Sequence, residues 1–252
     1  MKKTLGVIPA RMASSRFPGK PLEKILDIPM LAHCYERALL SGACDTLIIA
    51  TPDMEILDWA HDHNIPSVLT SHKHQRATER AKETLDILAK EGNSYDLILL
   101  LQGDEPQIYP EDIVNLKAGF TGKEFEVVNL VFSIEGDDLF NPNVVKAIVD
   151  NNFEIIFFTR SHVPYKSNTA LRQLGMIGFT STALHKYIDF NPTLLEELES
   201  IDMMRLLEND CSIKGVSSSL PILGVDNPED ILKAEQMMAN DHLVNLYSQK
   251  YI

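Results

Sequence analysis

The sequence predicts an α/β fold on a mostly parallel central sheet, with helices on both faces and a strand-rich insertion. Three observations predict it. Short apolar runs alternate with helically spaced segments through the first hundred residues, the pattern of parallel strands covered by helices. The run Asp96 to Leu101 is apolar after its first residue, as in a central strand buried on both faces. The second half then shifts to strand-like runs joined by short connections. No linker separates two parts. The length of 252 residues and 44% apolar content suit a single domain, 1–252, with a sizeable core. The strand-rich part, about residues 140–190, is the region available for a dimer interface.

In chain order, Thr4 to Ile8 is the first strand. A long loop follows to Leu22, and Lys24 to Ile28 reads as a short edge strand. A helix starts near Pro29, with Leu31, Cys34, Tyr35, Ala38 and Leu39 on its apolar face, and Gly42 stops it. Asp45 to Thr51 is a buried strand. Pro52-Asp53 leads into a helix through Ile56, Leu57 and Ala60. Pro66 to Leu69 is a strand, Thr70 to Gln75 a polar loop, and Ala77 to Lys90 a helix. Beyond the central strand, Val127 to Ile134, Val144 to Val149 and Phe153 to Thr159 read as strands, the last two joined by a hairpin turn at Asp150-Asn151-Asn152. Gly175 to Phe179 is strand-like, Leu194 to Glu208 helical, and Ile213 to Val216 a strand. A final helix, Pro228 to Met238, takes Asp226 or Asn227 as its cap.

Net charge is −13 with a pI near 5.0, which argues against a nucleic-acid partner. Cys34, Cys44 and Cys211 have no metal or redox spacing. They read as reduced thiols, in keeping with a cytoplasmic location. Met1-Lys2-Lys3 runs into a strand without the apolar core of a signal peptide. No apolar run approaches a membrane span, so no membrane partner is expected.

Three stretches carry chemistry. The first, Ile8 to Leu22, lies at a strand's carboxyl end, where open α/β sheets bind ligands. It holds Arg11, Arg16 and Lys20, with Ser14 and Ser15 between them. These suit a polyphosphate, although a plain Pro/Gly/Ser-rich surface loop would look much the same. It is not a glycine-nest phosphate loop, because Ser14 and Pro21 stand where that motif needs Gly and Ser/Thr. The second, Gln102-Gly103-Asp104-Glu105, puts an acidic pair after the central strand. Asp104 could hold Mg²⁺, which takes one or two carboxylates plus substrate phosphates; an acidic capping loop is the plainer account. In the third, Gly224 to Asp230, Asp226 could share that metal, cap the helix, or both. The pairs His61/His63 and His72/His74 fit a helix end and a pocket wall better than a zinc site. Ser217 to Ser219 lack a nucleophile context.

Together these motifs resemble the CMP-Kdo synthetases, cytidylyltransferases that activate 3-deoxy-manno-octulosonate. Ile8-Pro-Ala-Arg11 through Ser15-Arg16-Phe-Pro-Gly19-Lys20-Pro-Leu22 is similar to that family's opening signature almost without change. Leu101-Gln102-Gly-Asp104-Glu105-Pro106, Phe140-Asn-Pro-Asn-Val-Val-Lys146 and Gly224-Val-Asp226-Asn-Pro-Glu-Asp230 resemble later ones, and Thr159-Arg160 before Val163-Pro164-Tyr165 another. The resemblance runs from about residue 5 to 235. It implies a three-layer α/β/α Rossmann-like nucleotidyltransferase fold, CTP and a sugar acid as substrates, Mg²⁺ on Asp104 and Asp226, and a homodimer. Arg11, Lys20, Asp104 and Asp226 would be catalytic. Pro9, Ala10, Arg11, Arg16, Lys20, Gln75, Thr78, Arg80 and Gln102 would hold the nucleotide. Arg16, Gln102, Arg160, Gln173, Ile177, Asp202 and Met203 would face the acceptor.

The chain departs from the family pattern in one functional region. The family's His-Gln-Ser-Gly-Thr-Glu-Arg is His74-Gln75-Arg76-Ala77-Thr78-Glu79-Arg80 here, near the expected cytosine. Its His-Leu-Gly-Ile-Tyr-Gly-Tyr is Gln173-Leu174-Gly175-Met176-Ile177-Gly178-Phe179, and its Glu-x-x-Glu-Gln-Leu-Arg is Glu199-Ser200-Ile201-Asp202-Met203-Met204-Arg205. The loop between Pro164 and Leu171 is shorter. Apolar residues cannot replace polar groups matched to substrate hydroxyls, so the expected acceptor is Kdo or, given these changes, a modified or shorter ulosonic acid or another hydroxy or keto acid. A same-fold nucleotidyltransferase with another base or acceptor, and a non-catalytic sugar-nucleotide-binding protein, are the competing readings.

Overall fold

The computed structural model describes residues 2–14, 16–121, 125–218 and 220–251. Ser15 and Ser219, both weighed above, lie outside them. The strands and helices are, in chain order, β1 (Thr4–Pro9), β2 (Lys24–Ile25), β3 (Ile28–Pro29), α1 (Met30–Leu40), β4 (Thr46–Thr51), α2 (Met54–Asp62), β5 (Ser67–Leu69), α3 (Ala77–Lys90), β6 (Leu97–Leu100), α4 (Pro110–Ala118), β7 (Val127–Glu135), β8 (Lys146–Val149), β9 (Ile155–Thr159), β10 (Thr169–Thr180), α5 (Ser181–Asp189), α6 (Leu194–Glu199), α7 (Met203–Leu207), β11 (Ile213–Ser217) and α8 (Pro228–Met238). The mixed α/β class with a largely parallel sheet agrees with the sequence reading.

The chain forms two compact units. The first comprises residues 1–95, 100–114 and 222–252; the second comprises 96–99 and 115–221.

In the first unit, β1, β4 and β5 pair in parallel, with Ile8 opposite Ile49 and Ala50 opposite Val68. Leu101 N–H donates to Val7 O, joining the end of the central run to β1. Leu5, Val7, Ile8, Ile49 and Leu100 are essentially inaccessible, which is why these strands read as apolar runs. The expected edge strand at Lys24 to Ile28 is instead a tight hairpin of β2 and β3, turned by Leu26 and Asp27 at φ 50° and 65°. Neither is glycine, so this turn carries no glycine signal in the sequence. Ile25, Ile28 and Met30 form a core with Val225, Ala234, Met238 and Tyr247. That packing fixes the stretch around Asp226.

In the second unit, β7 pairs antiparallel with β10 and parallel with β11, and β8 pairs antiparallel with β9 and β10. The β8–β9 connection is the hairpin expected at Asp150-Asn152. A register shift interrupts β10 between Gln173 and Ile177. Buried Asn129 fills it, donating from Nδ2 to the carbonyls of Leu174 and Met176 at 2.9 and 3.2 Å. The single helix expected over Leu194 to Glu208 is two, because Ser200 adopts φ 54° and ends α6. Helices α4 and α5 were not anticipated. Among the described residues, no helix is long and apolar enough to cross a membrane.

Candidate active site

The opening loop is pinned at both ends. Ala10 N–H donates to Ala50 O at 3.0 Å, and Met12 N–H donates to Asp53 Oδ2 at 2.8 Å. Gly19 closes the loop onto Met12 O at 2.9 Å and has φ 80°, a left-handed conformation that favours glycine. A 3-10 turn, Lys20–Leu22, follows with Pro21 near its start. This turn directs Lys20 inward. Its Nζ donates to Asp104 Oδ2 at 2.7 Å and to Val225 O at 2.9 Å, and lies 3.6 Å from Asp226 Oδ1.

Two backbone contacts bring the acidic residues to that ammonium. A Cβ on Gly103 would lie 2.6 Å from Pro9 O, so only glycine lets the central strand's carboxyl end pass this close to β1. Val225 N–H donates to Asp104 O at 2.9 Å, tying the two acidic segments together. Helix α8 is capped by Asn227, with Asp230 accepting from the N–H groups of Asp226 and Asn227 at 3.1 and 3.0 Å. Asp226 is therefore not the cap. Its carboxylate faces Arg16 at 3.0 Å, as well as Lys20.

The start of α3 supplies another wall. Glu79 Oε2 accepts from the backbone N–H groups of Gln75 and Arg76 at 2.8 and 3.1 Å, fixing the turn into the helix. Arg80 is buried and donates to Thr70 Oγ1 and to Ser71 O. Burial, and then the neighbouring Arg11, lower its pKa below the ordinary arginine value. An anion placed beside these two guanidiniums would relieve both costs. His74 is tied to Glu83 through Nε2 at 2.7 Å, a partner that accounts for it without zinc.

These elements enclose a pocket of about 300 Å³ in the first unit. Arg11, Arg16, Lys20, Arg76 and Arg80 line it against only Asp104 and Asp226. A locally cationic pocket in a protein of net charge −13 selects a small, highly charged anion. Cys34 is buried nearby, and burial followed by the charges of Asp104 and Glu105 pushes its thiol pKa far up. It is therefore an inert core thiol, as expected.

The family described as "Cytidylyltransferase" matches residues 5–214. The 3-deoxy-manno-octulosonate cytidylyltransferase of Thermodesulfovibrio yellowstonii is 35% identical over 93% of this chain and 98% of its own length. The chain belongs to this cytidylyltransferase family. The mitochondrial 3-deoxy-manno-octulosonate cytidylyltransferase of Arabidopsis thaliana is also 35% identical, over 94% of this chain and 83% of its own. A solved structure titled as CMP:2-keto-3-deoxy-manno-octonic acid synthetase complexed with CTP superposes with a TM-score of 0.88 at 30% identity, covering 95% and 99% of the two chains. A Bacillus anthracis structure titled as a "Putative Glucose-1-Phosphate Thymidylyltransferase" shares the fold at 16% identity, with a TM-score of 0.71 over 94% and 96% of the two chains.

In this cytidylyltransferase, the pocket gathers Pro9, Ala10, Arg11, Arg16, Lys20, Gln75, Arg80, Gln102, Asp104 and Asp226, all named from sequence. Thr78 is buried in the first turn of α3 and is not among the lining residues. The other acceptor candidates belong to the second unit and are absent from the lining. Ile177 and Met203 are buried there. Gln173 donates its amide to Asn129 Oδ1 at 2.7 Å. Arg160 donates to the carbonyls of Glu199, Pro142 and Ser200. Asp202 precedes α7. Sequence reasoning missed Asp53, the loop's anchor, whereas Arg76, expected near the base, is among the lining residues. Asp53 stood in view directly after a buried strand, and Arg76 stood in view as a departure from the family pattern.

Proposed function

We propose that the enzyme transfers CMP from CTP to 3-deoxy-manno-octulosonate or a closely related ulosonic acid, releasing pyrophosphate, with Mg²⁺ held by Asp104 and Asp226. One observation carries the reading: a single pocket joins the cations of the opening loop to two carboxylates converging on Lys20. The family membership and the similarity to a CTP-complexed synthetase support the choice of substrates.

The two carboxylates fit a Mg²⁺ ion. Both are partly exposed hard-oxygen donors, at 35% and 50% side-chain exposure, and Mg²⁺ commonly takes two carboxylates and completes its shell with phosphate oxygens and water. When bound, the ion would neutralise phosphate charge and lower the pKa of an attacking hydroxyl. The residues of the chain do the rest. Arg11, Arg16 and Lys20 hold the triphosphate. Lys20 keeps the two carboxylates at one point. Gln102 lines the same pocket, where its amide can orient the acceptor. The acceptor's anomeric oxygen attacks the α-phosphorus in line, forming the new P–O bond as the bond to pyrophosphate breaks.

A related acid instead of Kdo is favoured by one observation. The sequence departs from the family pattern at Gln173, where the family carries His, and at Ile177, where it carries Tyr. Pyrophosphate release with CTP and Mg²⁺ across Kdo and other sugar and keto acids tests both readings. Release with Kdo at ordinary efficiency establishes Kdo as the acceptor; release only with another acid identifies that one. Nucleotide binding without release across the whole panel would overturn catalysis and leave a binding protein. The same reading includes a cytoplasmic homodimer. Exposed Phe140, Ile156 and Tyr165 of the second unit offer apolar surface for it, and sedimentation equilibrium measures the mass.

A further inference from the structure

We infer that Arg76 is a phosphate-binding residue of the nucleotide site, where it grips the terminal phosphates that depart as pyrophosphate. The inference rests on the proposed CTP-dependent reaction and names a contact within it.

Five cations line the pocket, and their partners differ. Arg16 and Lys20 face Asp226 and Asp104. Arg80 is held by Thr70 and Ser71. Arg11 and Arg76 have no side-chain hydrogen bond or acidic partner among the described residues, though both line the pocket. Arg76 is also fixed in place without using its side chain, because Glu79 accepts from its backbone N–H at 3.1 Å. The guanidinium is thus free of structural duty and sits on a positioned Cα.

Its surroundings choose the ligand. Arg76 immediately precedes the 14-residue helix α3, whose amino-terminal end favours anions. The small side chain of Ala77 lies beside it on the same wall. Arg80, one turn on, and Arg11 add further positive charge. Glu79 and Glu83 of α3 offset part of that charge but do not line the pocket, and a neutral base carbonyl adds no counter-charge there. A phosphate group neutralises it and matches a guanidinium in bidentate geometry. The carboxylates that would serve the reacting phosphate lie with Lys20, and neither Glu79 nor Glu83 of α3 lines the pocket, so this wall suits the phosphates that leave. As the α-phosphorus bond breaks, negative charge builds on pyrophosphate, and a free guanidinium there stabilises it.

Calorimetric binding of CTP, CMP and inorganic pyrophosphate to the wild-type enzyme, Arg76→Ala and Arg76→Lys tests the assignment. Losing a hydrogen bond to a charged group predicts roughly tenfold or greater weakening of CTP and pyrophosphate in Arg76→Ala. CMP affinity should stay within about twofold of wild type, and Arg76→Lys should recover part of the loss. Equal weakening of CMP and CTP would place Arg76 on the base or ribose and overturn the inference. Wild-type affinities for all three in Arg76→Ala would overturn it too. A wild-type enzyme that binds none of the three would overturn the proposed function along with it.

Discussion

The ammonium of Lys20 donates to the Asp104 carboxylate at 2.7 Å. One end of this contact comes from the opening loop and the other from the segment after the central strand. The same ammonium lies 3.6 Å from Asp226, so a single cation keeps two like charges together. Replacing Lys20 by Met leaves the carboxylates to repel each other and removes a proposed triphosphate contact. Turnover should fall by about 10²-fold or more, the scale of deleting one preorganised electrostatic partner. Asp104 remains partly solvated, at 35% exposure, so the melting temperature should move little. Pyrophosphate-release kinetics beside a thermal melt checks both halves. A large fall in melting temperature would instead make Lys20 a structural residue.

Asp226 and Asn227 are adjacent but have different duties. Asn227 caps α8, while the carboxylate of Asp226 faces Arg16 and Lys20. Asp104→Asn should lower turnover about 10²-fold, and Asp226→Asn should raise the Mg²⁺ concentration needed for half-maximal rate. Asn227→Ala should cost about 1 kcal/mol of stability through the lost cap and leave the Mg²⁺ dependence unchanged. Titrating Mg²⁺ against all three variants separates the roles. An unchanged Mg²⁺ curve for Asp226→Asn would remove that residue from the proposed metal site.

The sequence revealed the parallel strands and the pocket's contents for one reason. Doubly covered strands are apolar throughout, and the loops at their carboxyl ends carry the unusual residues. What it hid has physical causes as well. The hairpin at Leu26-Asp27 and the break at Ser200 rest on positive φ at non-glycine residues, which leave no compositional mark. Helix α5 follows a Thr180 cap accepting from Ala183 N–H at 3.1 Å, and α4 carries Pro110, Glu111 and Asp112 in its first turn. Both signals stand in the sequence between stronger strand patterns. Ile177 and Met203 illustrate a further limit. Aligned motifs show which residue stands at a position, but only the packed fold shows that these two side chains are buried.

A buried imidazole gives the enzyme a pH signature. His33 is inaccessible. Its Nε2 lies 2.9 Å from Ile25 O, so that nitrogen carries the proton, and Nδ1 accepts from Tyr247 Oη at 2.8 Å. Burial, the largest cause, brings its pKa down to about 4 despite the Ile25 carbonyl, with Arg37 adding to the fall. The unfolded chain has an ordinary value of 6.5 and so binds more protons than the folded one between the two. Stability contributed by neutral His33 is fully present above about pH 6.5 and is lost as pH falls toward 4. His33→Gln lacks this loss. The stability gap between wild type and variant should therefore narrow by up to about 1.4 kcal/mol per pH unit below about pH 6. Urea unfolding of both proteins from pH 7 to 4.5 measures the gap; a constant gap would mean His33 titrates alike in both states.

The buried pair Arg205 and Glu196 poses a stability question separate from catalysis. Arg205 Nε and a terminal nitrogen donate to the two Glu196 oxygens at 2.7 and 2.6 Å, and the other terminal nitrogen donates to Tyr187 O at 3.1 Å. Both side chains are nearly inaccessible, at 9% and 5% exposure, and they join α6 to α7 across the break at Ser200. In Glu196→Ala the guanidinium is left buried with one carbonyl partner. In Arg205→Met the carboxylate is left buried instead. Each single change should cost about 3–5 kcal/mol, because an unpaired buried charge loses more than the pair gains. The double variant should be less destabilised than the sum of the singles, since it leaves no charge behind. A double-mutant cycle in urea gives the coupling directly. Additive losses would show that the two groups are already solvated and that α6 and α7 are held together by their apolar contacts alone.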